Sequence, residues 1–324
     1  MAHRLPHRFT PGQIRILGAF AGAVLIHGVG ILTIDGYGSA FALRSMLVLA
    51  SLLAVASVGQ TLVVIIGGID LSIPFLIGVA NVVAAQLHGD GVNFALVCAF
   101  VLVLCFLIGL ANGALAQGLG IHPLIITLGT GTIAEGAVLL WTHGAPSGSA
   151  PDAVANFVSI GGSVGPIPVP WLVPCFIVLA LLIILALART PYGRRLYALG
   201  SNPTAAPLAL IRPVFMWGLT FGLSAVFAGI AGILLLGFTG SAYGDVGQPY
   251  LFQTIAAVVV GGTALVGGRG SYLGTIAGAL VLTELNTLLI GLGLQAAAVQ
   301  TALGIVIVAL VSVYGREPHV RTTI

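Results

Sequence analysis

The 324-residue chain contains no lysine, and its 11 basic residues are all arginines. Charged residues of either sign make up only 6%, where a soluble domain carries roughly 25%. So few charges cannot cover a water-facing surface. With 58% hydrophobic residues and a mean hydropathy of +1.15, most of this surface must face lipid, and the chain reads as a polytopic membrane protein. The missing lysine excludes a Walker A phosphate loop and Schiff-base chemistry on lysine. A net charge of +3 with no basic stripe of interleaved aromatics argues against a nucleic-acid partner. The three cysteines, Cys98, Cys105 and Cys175, lie in apolar runs without metal-ligand spacing and read as small apolar side chains. No H-E-x-x-H, Ser–His pair at a recognisable spacing or paired carboxylates are found, so an intramembrane enzyme is not expected.

What is abundant is apolar sequence in runs of membrane-crossing length. Ten runs stand out, at 16–34, 43–66, 73–88, 94–116, 123–142, 171–189, 214–238, 251–267, 272–290 and 299–314. The start, MAHRLPHRFTPGQIR, is basic and precedes the first run without a small-residue cleavage site, so that run is expected to be retained. Arg4, Arg8 and Arg15 precede the first run. Arg189, Arg194, Arg195 and Arg212 flank the loop after the sixth, Arg269 lies between the eighth and ninth, and Arg316 and Arg321 follow the tenth. Ten crossings with a cytoplasmic N-terminus put all of these inside and only Arg44 outside, as the positive-inside rule predicts. The expected architecture is all-α: one transmembrane domain over 1–324, a cytoplasmic tail at 1–15, an external loop at 143–170, a cytoplasmic loop at 189–213 and a cytoplasmic tail at 315–324.

Residues 143–170 are rich in Gly, Pro and Ser and too polar to span. In the cytoplasmic loop, RTPYGRRLYALGSNPTAAPLALIRP, Ser201 or Asn202 suits an N-cap and Pro203 a first helical turn. A short helix there has the right shape to dock into a soluble partner. Glycine numbers 46, about twice the usual ~7% share. In GLTFGLSAVFAGIAG (218–232), Gly218, Gly222, Ala225 and Gly229 recur at spacings of three and four, a face for close helix packing.

Two runs place β-branched residues before a glycine pair: VVIIGGIDLS (63–72), with Gly67 and Gly68, and VVVGGTALVGGRGS (258–271), with Gly261 and Gly262. Glycine pairs interrupt helices, and broken spans in corresponding halves of a chain mark the substrate path of many transporters. The freed backbone groups need partners. Asp70 suits the freed amides, and Ser72 suits the cap of a helix opening at Ile73 and Pro74.

These motifs resemble the permease subunits of bacterial ATP-binding-cassette (ABC) importers for ribose, xylose and related sugars. The resemblance runs through VGQTLVVIIGGIDLSI (58–73), ANGALAQGLGIHPLIITLGT (111–130), TPYGRRLYALGSNPTAAPLAL (190–210) and IAAVVVGGTALVGGRGSYLGTIAGALVLTELNTLL (255–289). It implies a multi-pass inner-membrane chain paired with a second permease chain, identical or related, and a periplasmic sugar-binding protein that delivers the cargo. It also implies two ATPase subunits that bind ATP and Mg, this chain binding no cofactor itself. The segment with Gly200, Asn202, Pro203, Ala205 and Ala206 then looks like the element that couples to the ATPases. The sequence departs from the pattern at Ala209, Leu210 and Ile211, at Arg212–Phe215, and at Leu251 and Gln253, which bears on partner choice and the outer end of the path.

Polar groups inside spans are costly and face a cavity or a partner helix. Gln60, Asn81, Thr127 and Asn286 would suit a path for a neutral sugar, because they offer donors and acceptors without net charge. Asn112, Thr130 and Glu135 are further polar groups in spans. Glu284 would sit near the outside, be neutralised by protonation or act as a proton site. An ion-coupled secondary transporter is the alternative, favoured if Asp70, Glu135 and Glu284 cluster at mid-membrane. Branched-chain amino acid permeases are a neighbouring family, with GGIDLS and GGRGS favouring the sugar group.

Overall fold

The computed structural model describes residues 11–314; the predicted tail segments with Arg4, Arg8, Arg316 and Arg321 lie outside the described residues. Among these, twelve α-helices follow in order: α1 (Pro11–Thr33), α2 (Ala40–Ile65), α3 (Ile73–Gly89), α4 (Phe94–Leu119), α5 (Pro123–Trp141), α6 (Asp152–Val158), α7 (Leu172–Arg189), α8 (Pro191–Ser201), α9 (Pro213–Thr239), α10 (Tyr250–Val260), α11 (Tyr272–Gly291) and α12 (Ala296–Tyr314). No strand is present among the described residues, so the chain is an all-α polytopic membrane protein.

Each of the ten predicted runs became a helix, but they are not equivalent. Seven, α1, α2, α4, α5, α7, α9 and α11, are long and apolar enough to cross a bilayer. Helix α3 and the described stretch Ala297–Val306 of α12 are apolar but shorter. Helix α10 stops at Val260 rather than continuing to 267. The cause is the glycine pair: Gly262 has φ +84°, a left-handed conformation that glycine adopts without Cβ strain.

The helix ends follow local chemistry. Ser39 accepts the Ala42 amide, Asn93 that of Ala95, and His122 that of Leu124. His122 is therefore an N-cap ahead of Pro123. The predicted cytoplasmic helix forms, but earlier in the chain. Thr190 accepts the Gly193 amide and Pro191 fills the first turn, so α8 ends at Ser201 where a helix was expected to begin. Asn202 then caps a single turn, accepting from the Ala205 amide at 3.0 Å and the Thr204 hydroxyl at 2.7 Å. Pro207 lacks the amide needed to extend that turn, and the chain closes as a 3₁₀ turn, Ala206–Ala209.

Helix α2 is the buried centre of the bundle, nearly all of its apolar stretch being enclosed. It packs on α9, α10, α11 and α7. The small-residue face of α9 lies on α4, as expected. A Cβ on Gly109 or Gly113 of α4 would collide with the backbone carbonyls of Phe221 and Trp217, so the two backbones approach as only small residues allow. In contrast, α1, α4, α5 and α7 leave most of their apolar residues partly or fully uncovered, as lipid-facing or partner-facing helices do.

Candidate functional site

The two glycine-interrupted segments, in opposite halves of the chain, meet in space. After α2 the backbone reverses through Gly67 (φ +87°), whose amide donates to the Val64 carbonyl. After α10 it loops through residues 261–271. The Gly268 amide donates to the Ile65 carbonyl at 2.8 Å, joining the second break to the end of the first. Helix α8 closes the junction from the third side. The Tyr197 hydroxyl donates to the Gly270 carbonyl at 2.9 Å and that of Ser201 to Gly268 at 3.4 Å. Gly200 lies so close that a Cβ would strike the Ile65 carbonyl. Tyr192, at the start of α8, shares a 3.1 Å hydrogen bond with Thr220, and burial pushes its hydroxyl up to about 12, so it stays protonated.

Asp70 is buried and organises the elbow between α2 and α3. One carboxylate oxygen accepts the Ser72 amide at 2.9 Å and the Ser72 hydroxyl at 2.5 Å. The other accepts the Ser224 hydroxyl of α9 at 2.7 Å. Asp70 thus accepts from the Ser72 amide at the opening of α3. Ser72 occupies the N-cap position of α3 but makes no side-chain cap bond; Asp70 is the stronger acceptor and captures its hydroxyl. The network continues outward. Asn112 of α4 donates to the Ser72 oxygen at 3.2 Å, and Thr130 of α5 donates to Asn112 at 2.6 Å. Thr127 accepts the Leu71 amide at 3.0 Å. Helix α5 is therefore bonded to the elbow directly through Thr127 and indirectly through Thr130 by way of Asn112 of α4.

The predicted path residues separate into different environments. Thr127 is buried, and its hydroxyl also donates to the Pro123 carbonyl. Asn81 is buried between α3 and α9, donating to Gly232 and accepting the Tyr243 amide at 2.9 Å. Gln60 is fully enclosed on α2, and neither polar atom of its amide has a hydrogen-bond partner among the described residues. Asn286 is half-buried on α11. Beside the elbow, Leu71 and α5 line an open groove of about 720 Å³ that includes Gly129, Thr132 and Ile133. One turn further, Glu135 lies near Gln248 and Asp245.

Glu284 belongs to a separate cluster. Its carboxylate accepts the Tyr37 hydroxyl at 3.0 Å and lies 3.2 Å from His27 Nδ1, tying α11 to α1 and the loop after it. Burial, reinforced by the Glu284 charge, raises the Tyr37 hydroxyl above its ordinary range, so it remains a donor. Asp70, Glu135 and Glu284 are thus held in three distinct settings. Sequence reasoning also missed Leu208 and Leu210, which are 87% and 92% exposed on the loop between α8 and α9. The two leucines of the PLAL segment (207–210), in a loop expected to dock a partner, were the available signal. Among the described residues no group of three His, Cys, Asp or Glu could hold a metal ion.

A multi-helix membrane bundle with paired helix breaks joined to a docking-type loop is the build of a membrane permease. Residues 42–311 match the model of the branched-chain amino acid transport system / permease component family, and the chain belongs to that family. It is 36% identical over 239 residues to the ribose import permease protein RbsC of Haemophilus influenzae, covering 73% of each chain. It is 31% identical over 303 residues to RbsC of Bacillus subtilis, covering 93% of this chain and 92% of that one. It is 32% identical over 240 residues to the autoinducer 2 import system permease protein LsrD of Klebsiella pneumoniae, covering 72% of this chain and 71% of that one. No solved structure matches the chain. The family and the apolar spans together place it as a multi-pass protein of the bacterial inner membrane.

Proposed function

We propose that this chain is the membrane-spanning subunit of an ABC importer, carrying a monosaccharide or similar small polyol by alternating access driven by ATP hydrolysis on partner chains. The observation that carries the reading is the docking of α8 on both helix breaks at once. A partner that grips the α8 loop holds a lever on the two points where the spans are interrupted. Leu208 and Leu210, nearly bare on that loop, would give that partner an apolar grip. Gly200, Asn202, Pro203, Ala205 and Ala206 shape the loop that presents them.

From the breaks, movement reaches α5 through Asp70, Ser72, Asn112 and Thr130. The groove along α5 is then one wall of the substrate path, the opposite wall coming from a second permease chain. Thr132 and Glu135 support this, because polar side chains on the open face of an apolar helix are unsuited to lipid. Gln60 supports a role in contacting cargo. A buried amide without a partner costs roughly 1–3 kcal/mol; Gln60 is enclosed here, so its polar atoms meet a hydroxylated ligand only when the bundle around α2 opens. The family description names amino acid transport, whereas the similar proteins carry ribose and autoinducer 2 in their names; uncharged Gln and Asn near the breaks suit hydroxyl groups better than an amino acid's paired charges.

The test is affinity purification of the tagged chain from its native membrane in mild detergent, with mass spectrometry of what accompanies it. A P-loop ATPase should be recovered, and Leu208→Asp with Leu210→Asp should remove it while leaving the chain in the membrane. A second permease and a periplasmic binding protein in the eluate would complete the importer. A chain that purifies alone and supports uptake dependent on a proton gradient would overturn the reading in favour of an ion-coupled transporter.

A further inference from the structure

The connection between α9 and α10 folds back along α3. Gly240 closes α9, and the chain then runs down α3 towards the elbow. The Tyr243 amide donates to the Asn81 side-chain oxygen at 2.9 Å. A Cβ on Gly78 would collide with the Gly244 carbonyl, and one on Gly247 with the Pro74 carbonyl. Asn81 to Pro74 is seven residues along the helix, about 10 Å. The segment turns as a 3₁₀ helix, Gly244–Gly247, and leads into α10, whose far end is the second glycine break. It therefore joins the helix that leaves the first break to the helix that enters the second.

One end of this segment is fixed to the 143–170 connection. The Ala150 amide donates to the Gly240 carbonyl at 3.1 Å and the Ala242 amide to the Gly148 carbonyl at 3.2 Å, and Ser149 pairs with Ser241 as an antiparallel bridge. The same connection is held on α3, where the Ser147 hydroxyl donates to Gln86 at 2.9 Å. The other end rests on Pro74, two residues beyond the Ser72 that Asp70 holds. Asn81 pins the middle, since it also donates to the Gly232 carbonyl of α9 at 3.4 Å. Close-packed interiors transmit displacement, and coupling travels through packed, hydrogen-bonded elements of this kind. We propose that residues 240–249 are a coupling strap that passes displacement of the 143–170 connection to both helix breaks at once, with Asn81 as its positioning residue. Helix α8 meets the same breaks at Ile65 and the 261–271 loop, so the chain carries two separate handles on them. That a periplasmic partner supplies the pull on the strap rests on the importer reading; the link itself does not.

The test is amide hydrogen exchange of the full chain in detergent, read by mass spectrometry over 66–72 and 261–271, where the Gly67, Ser72 and Gly268 amides are hydrogen-bonded. Asn81→Leu removes the Tyr243 acceptor and should speed exchange about fivefold at both breaks, the worth of one buried hydrogen bond. Exchange in α7, which packs on α2, α8 and α11, should not change. Should that variant fail to fold, Ser149→Cys with Ser241→Cys, in a chain whose native cysteines are replaced by alanine, carries the comparison. An antiparallel bridge pair lies within disulfide reach, and oxidation should slow exchange at both breaks relative to the reduced form of the same chain. Faster exchange confined to 145–150 and 240–249, a response at one break alone, a change that extends equally to α7, or equal protection of the breaks in the oxidised and reduced forms would overturn the proposal. A response at both breaks in a chain that purifies without an ATPase would support the strap and overturn only the importer reading.

Discussion

Asp70 accepts three hydrogen bonds from two serines that belong to different helices. An acceptor removed from a buried network leaves donors stranded, and each stranded donor costs about 1–3 kcal/mol. Asp70→Ala is therefore expected to lower stability by about 2–4 kcal/mol. Asp70→Asn keeps one acceptor for Ser72 and should lose about 1 kcal/mol. Denaturation in detergent checks both, and equal stability of the two variants would show that the carboxylate does not hold the elbow. Tyr37→Phe makes a second case. It removes the hydroxyl that donates to Glu284, and the expected loss is about 1–2 kcal/mol in the same measurement. The two acids differ in how far the sequence revealed them. Asp70 was legible because its partner Ser72 is two positions away, within one motif. Glu284 was visible only as a costly charge, because Tyr37 and His27 are supplied by the other end of the chain.

At the level of elements, the glycine pairs were readable as breaks, and their physical meaning emerges from what they touch. Gly268 has φ +73°, and a Cβ there would press on Ser201 of α8. Gly268→Ala is expected to cost about 1–2 kcal/mol from left-handed strain alone, with steric displacement of α8 added. On the proposed importer reading, it should lower cargo-stimulated ATP hydrolysis by the reconstituted complex more than basal hydrolysis, because α8 would no longer seat on the Ile65 carbonyl. Hydrolysis assayed with and without binding protein distinguishes this from simple loss of fold. The apolar runs were legible in all ten places because burial in lipid demands them. Helix α10 was overextended because a hydropathy run cannot register that glycine ends hydrogen bonding before it ends apolarity. The helix expected in the 189–213 loop was misplaced by a competing cap twelve residues earlier, Thr190–Pro191 against Asn202–Pro203. The cap chemistry at both places is real, and Pro207 decided which one could grow.

For the whole molecule, orientation carries the functional reading, since the α8 loop couples to ATPases only if it faces the cytoplasm. The arginine distribution argues for that side. The structure adds a contrast between the two large connections. Residues 143–170 hold α6 and a small bridge between Val164 and Ile167, and α6 rests on α9 near Gly237. The 190–211 segment instead leaves two leucines uncovered. Ser163 and Thr204 are exposed on these two connections. In a chain whose three cysteines are replaced by alanine, Ser163→Cys should react with an impermeant maleimide added to spheroplasts. Thr204→Cys should react only after the membrane is opened, and less so when the ATPase is bound. Reaction of Thr204→Cys in sealed spheroplasts would invert the topology. It would leave Leu208 and Leu210 facing the periplasm, where a binding protein, not an ATPase, would have to cover them.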